Sequence, residues 1–159
     1  MTPAHQMRWL LNWTNLSTGA GLLLAKAKGC DIRRGPEGLF LAFSYTGTLP
    51  VASAFTVGNT VLFRAPATAG MPRPGLLAHE ARHSTQYALC LGLPFLPLYF
   101  AAAAISLLRT GDPASLNIFE RHAGLAAGGY VERPVRQLST TLQPLRRRAL
   151  AAINRLGAR

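Results

Sequence analysis

The sequence predicts an α+β fold, a small antiparallel β-sheet or hairpin followed by a helical half. Three observations predict it. Residues 30–64 hold short runs rich in Phe, Val and Thr between turn residues, the signature of strands. A Pro/Gly stretch, Ala65–Gly75, closes that part. From Leu76 the pattern turns helical, and its first helix opens with "HEARH", His79 to His83.

Taken in order, residues 1–29 read as helical or irregular, one or two short amphipathic helical turns ending near Gly29. Gly38–Tyr45, Ala52–Val57 and Thr60–Arg64 read as strands. Gly58-Asn59 between the last two is a two-residue hairpin signal, since Gly and Asn tolerate positive φ. A helix is expected from about Leu76 to Leu91, stopped around Gly92 and Pro94, and a second from about Pro94 to Arg109. A third is expected between an Asp112 N-cap with Pro113 at the first helical position and the stop at Gly128-Gly129. The whole chain, 1–159, reads as a single domain: a β-rich part over 30–64, a helical part over 76–128, and a basic tail over 131–159. In that tail "PLRRRALAAINRL", residues 144–156, reads as a basic amphipathic helix or a partly ordered segment.

A hydrophobic content of 49% excludes a disordered chain. Lys and Arg number 17 against 6 acids, a net charge of +11. Such a surface attracts anions, from nucleic acid to acidic headgroups, or simply solubilises an Ala- and Leu-rich chain. No nucleic-acid-binding motif accompanies the charge, so a nucleic-acid partner is not expected. Cys30 and Cys90 form no disulfide framework, and polar residues from Asn12 to Thr18 interrupt any secretory signal. A cytoplasmic setting is expected, with membrane association as the variant. That variant rests on Ser84–Leu108, which carries no charged side chain. Its length suits a membrane span, but Pro94 and Pro97 break it, so a buried core helix is the preferred reading.

On a helix, residues four apart share a face. His79 and His83 can therefore aim two imidazoles at one ion. Glu80 stands about 100° around the helix, placed to take a proton from water beside that ion. A catalytic zinc needs a third protein ligand and an open fourth position. Cys90 lies about 16 Å further along the axis than His79 and cannot reach. Glu120 and His122 remain, pointing roughly opposite ways. Glu120 is favoured because its face holds small residues, with Asn117 as an orienting amide and Gly124 allowing close approach. An ion pair between Glu120 and Arg121 is the plain alternative, and His122 stays open as ligand. Tyr130, Tyr99, Arg121 and His122 are candidate donors to an oxyanion. Gln86 is a candidate hydrogen-bonding support.

"HEARHSTQY…GLPFLPLYF…GDPASLNIFERHAGLAAGGY", with "NLSTGAGLLLAKAKG" and "ASAFTVGNTVLF" upstream, resembles a family of uncharacterised actinobacterial proteins. That family looks like a minimal, zincin-like metallopeptidase of the gluzincin type. The resemblance spans roughly residues 12–130. It implies His79, His83 and Glu120 as zinc ligands and Glu80 as base. Gluzincins often carry an acid one turn after the ligand Glu; this chain has Gly124 there, and no carboxylate to support the first histidine is evident.

The expected function is therefore zinc-dependent hydrolysis of a peptide or protein, with a Glu80 general base acting on metal-activated water. In the reading of Thr60–Arg64, the strand before the helix borders the cleft and pairs with an extended substrate. Two alternatives come from other classes. One is a non-catalytic binding protein in which metal ties two helices together. The other is a membrane-associated protein with a basic surface.

Overall fold

The computed structural model describes residues 1–136; the basic helix expected over 144–156 lies outside the described residues. Two N-terminal helices, α1 (Pro3–Thr14) and α2 (Ser17–Ala27), precede four strands, β1 (Asp31–Arg34), β2 (Phe40–Phe43), β3 (Ala54–Val57) and β4 (Thr60–Phe63). Four helices follow: α3 (Pro74–Leu89), α4 (Phe95–Thr110), α5 (Ile118–Ala123) and α6 (Leu125–Gly128). The fold is α+β.

The sheet is mixed, not purely antiparallel as expected. Its order is β1-β2-β4-β3, with β1 antiparallel to β2, β2 parallel to β4, and β4 antiparallel to β3. The hairpin explains this. The chain lays β3 down as an outer strand, turns at Gly58-Asn59, and returns β4 into the space beside β2. Val57 pairs with Thr60 across that turn. Gly58 alone takes a positive φ, 61°; Asn59 spends its side chain on hydrogen bonds instead. All four residues of β4 are buried, as an inner strand covered on both faces requires. Thr60–Phe63 is therefore an inner strand and not the sheet edge expected of it; the edge beside it is β3. The sequence reading missed β1, whose Asp-Ile-Arg-Arg has no apolar alternation and is exposed throughout; backbone pairing holds it.

Side chains alternate between the two faces of the sheet. Leu41, Phe43, Val61, Phe63 and Ala54 face α3, where Leu76, Leu77 and Ala81 pack on them. Ala42, Leu62, Phe55 and Val57 face the other way and meet Leu24 and Ala25 of α2. α3 thus lies across one face of the sheet with its opposite side free to meet α5 and α6.

Two further expectations are corrected. The helix over 94–109 is present as α4, but it is not a buried core helix. Only Phe95, Ser106 and Thr110 are buried along it. No helix among the described residues is long and apolar enough to cross a membrane. The helix expected from Asp112 to Gly128 is broken. Asp112 does cap, accepting from Ala114 N at 3.1 Å and Ser115 N at 2.7 Å, but it caps a turn. Asn117 restarts the chain as the N-cap of α5, accepting from Phe119 N at 3.0 Å. Gly124, with φ of 91°, separates α5 from α6.

Candidate metal centre

The break in that helix positions Glu120. The Asn117 cap puts Glu120 in the first turn of α5, and α5 packs on α3. Its carboxylate meets two imidazoles. Oε2 lies 3.3 Å from His79 Nε2 and Oε1 lies 3.6 Å from His83 Nε2. The two Nε2 atoms are 3.0 Å apart, with the rings nearly perpendicular. One ligand atom from each of the three residues lies within 4.8 Å of the others, and all three residues are buried.

The outer nitrogens fix the protonation pattern. His79 Nδ1 is 3.1 Å from the Gly124 carbonyl oxygen, which can only accept. His83 Nδ1 is 2.8 Å from Gln86 Oε1. The Gln86 amide is oriented because its NH2 donates to Phe119 O at 2.9 Å. Both Nδ1 atoms therefore carry the proton, and both Nε2 atoms present lone pairs. The lone pairs point at one another and at Glu120, whose Oε2 is buried with no hydrogen-bond partner. Tyr99 donates its hydroxyl proton to Glu120 Oε1. A cluster with this surplus of acceptors could hold a cation. Two imidazole nitrogens and a carboxylate, with the imidazoles oriented from behind, suit zinc in donor type.

The electrostatics agree. Burial opposes a proton on His79, but Glu120 and Glu80 outweigh it and raise its pKa above the ordinary 6.5. Burial would raise the Glu120 carboxyl, yet its contacts with His79, His83 and Tyr99 hold it down to about 2. The site favours positive charge at its centre and a charged carboxylate beside it.

Glu80 points to the β3 side of α3. The Thr56 hydroxyl donates to Glu80 Oε2 at 2.7 Å. Burial raises the Glu80 carboxyl despite the opposing pull of His83, Thr56 and His79, a direction suited to a general base near neutrality.

The remaining predicted residues are placed as follows. Asn117 is the α5 cap, so it supports Glu120 through the backbone and not by a side-chain bond. Gln86 holds His83. His122 is exposed, 3.3 Å from Gln86 Nε2 through Nδ1, outside the cluster of three. Arg121 donates to Ser115 O at 3.0 Å and pairs with Glu132, leaving Glu120 turned inward. Tyr130 is half-buried, its ring 6.1 Å from that of His79. Burial raises its pKa, and Glu120 and Glu80 add to the rise, so it remains a proton donor.

Sequence reasoning missed three features. Thr56 sits on a strand far from α3 in sequence. The Gly124 carbonyl meets His79 Nδ1 where a supporting carboxylate was sought, and a backbone atom leaves no trace in residue types. Gly128 reads only as a helix stop, but a Cβ there would meet His79 Cε1 at 2.5 Å. A glycine is needed for α6 to lie against that ring.

His79, His83, Glu80 and Glu120 all line one cleft of about 560 Å³. β3 forms one side and α4 the other. The rim is apolar, with Leu49 and Val51 on one side and Leu96 and Phe100 on the other. Arg64 fastens the rim loop by donating to Ala52 O at 3.1 Å and Pro50 O at 2.5 Å. No protein-family model, curated protein or solved structure matches this chain.

Proposed function

We propose that this protein is a zinc-dependent peptidase of the H-E-x-x-H type. The observation that carries the reading is the convergence of two unprotonated imidazole nitrogens and a buried carboxylate beside Glu80 at the floor of an open cleft. His79, His83 and Glu120 would hold the metal. Bound zinc supplies a Lewis acid for water and for a substrate carbonyl.

The chain's own groups do the rest. Glu80, held by Thr56, accepts a proton from water in the cleft and returns it to the leaving amine. Tyr130 offers a hydroxyl donor to the carbonyl oxygen as it gains charge. β3 receives the substrate backbone. In the hairpin, Ser53, Phe55 and Val57 bond to β4, so the N–H and C=O groups of Ala54 and Thr56 face the free edge. An extended peptide can pair with that edge, which runs past Glu80. His122 lies outside the cluster and does not close the fourth position, which favours a catalytic over a purely structural metal.

The test is cleavage of a peptide library by zinc-loaded protein. The wild type should cleave, and Glu80→Gln should bind zinc equally yet be inactive. Cleavage that survives in Glu80→Gln, or none by the wild type, overturns the reading.

A further inference from the structure

α4 carries an apolar surface that nothing among the described residues covers. Successive helix residues are about 100° apart. Phe95, Ser106 and Thr110 fall together on the side that meets α5. Around the rest of the helix come Leu107, Phe100, Leu108, Ile105 and Leu98, each more than half exposed and Leu108 74% so. Before the helix, Leu89, Leu91 and Leu93 are exposed as well. A contiguous patch of this kind marks an interaction site.

Charge selects the occupant. Ser84–Leu108 has no charged side chain, and the first residue after it is Arg109. Arg136 N donates to Arg109 O at 2.7 Å, which places Arg136 at the same end of α4. After Gly129 the chain holds seven arginines against one acid, Glu132. A second copy would bring the same charge of +11 to the contact; an anionic bilayer brings the opposite sign. Apolar side chains entering the interface and cations on the headgroups are the two halves of surface binding. With 16 residues, α4 is shorter than the roughly 20 needed to span a bilayer, so it lies on the surface.

We propose that the exposed face of α4 docks this protein on an anionic lipid bilayer. Leu96 and Phe100 belong both to α4 and to the cleft rim, so docking sets the mouth of the cleft at the lipid surface. The test is sedimentation of the full chain with vesicles of phosphatidylcholine alone and of phosphatidylcholine with phosphatidylserine. Binding is expected to the second and to weaken with salt. Ile105→Glu with Leu108→Glu should reduce it at least about tenfold. Leu108→Glu alone should give a smaller loss, with melting curve and zinc content unchanged to establish an intact fold. The proposal is overturned if phosphatidylserine vesicles do not bind, or if they bind the double variant as well as the wild type. A lipid-free dimer that Leu108→Glu dissociates also overturns it, since the surface then belongs to a second copy. Zinc content reports on the metal centre separately, so either reading can fail without the other.

Discussion

Two buried polar clusters flank α3, and they are built to opposite ends. Behind it, Asn12, Thr18, Asn59 and Ser84 form a closed set. Asn12 Nδ2 donates to Asn59 Oδ1 at 3.0 Å and to Ser84 O at 2.9 Å; Asn59 Nδ2 donates to Thr18 Oγ1 at 2.9 Å; Ser84 Oγ donates to Asn59 Oδ1 at 3.0 Å. Donor meets acceptor, and the result ties α1, α2, the hairpin turn and α3 together. In front, His79, His83 and Glu120 offer acceptors to one another with too few protons between them. Buried polar groups left unpaired are costly, and a cation bound between the three side chains would satisfy them. One cluster fastens the fold and the other could hold a guest; only the second shows a motif in the sequence.

Removing a ligand residue should separate the two clusters most strongly. His83→Ala and Glu120→Gln should each weaken zinc binding by more than about a hundredfold, beyond the effect of losing an orienting partner, as read by competition with a chromogenic chelator. Their folds should persist, since the rear cluster is untouched. The converse experiment is Asn59→Ala, which strands buried partners. Urea unfolding should show a loss of about 2–3 kcal/mol, while the folded fraction still takes up zinc. Next comes Gln86→Leu, which frees His83 Nδ1. Zinc affinity should fall about 10–100-fold by the same competition assay.

The smallest effect concerns Glu80. It must be ionised to accept a proton, and burial raises its pKa while Thr56 lowers it. The acid limb of kcat/KM should therefore lie above the ordinary carboxylate range. Thr56→Val removes a lowering influence and should move that limb further up. A pH profile in which the limb stays or falls would show that Thr56 does not position the base.

Much of the metal centre is legible in sequence because it is local. The four-residue spacing of His79 and His83 fixes a shared helix face, whereas Glu120 reaches them from a short helix, α5, and not from the long helix face on which the sequence favours it. The hairpin is legible for the same reason. What is not legible depends on contacts distant in sequence or on backbone atoms. Thr56 meets Glu80 only because β3 becomes the edge beside α3. The Gly124 carbonyl replaces a side chain the pattern led one to look for. β4 and β3 exchange their expected roles because strand order is set by which faces are covered, and Thr-Val-Leu-Phe reads as a strand in either place. α4 looked like a core helix because apolar composition alone does not say which neighbours are present to cover it.

Metal analysis after dialysis against zinc and then buffer decides whether the front cluster takes a metal through His79, His83 and Glu120. About one zinc per chain is expected in the wild type and in Glu80→Gln, and almost none in His83→Ala or Glu120→Gln. A wild type that retains no zinc, or ligand variants that retain as much as the wild type, would contradict it.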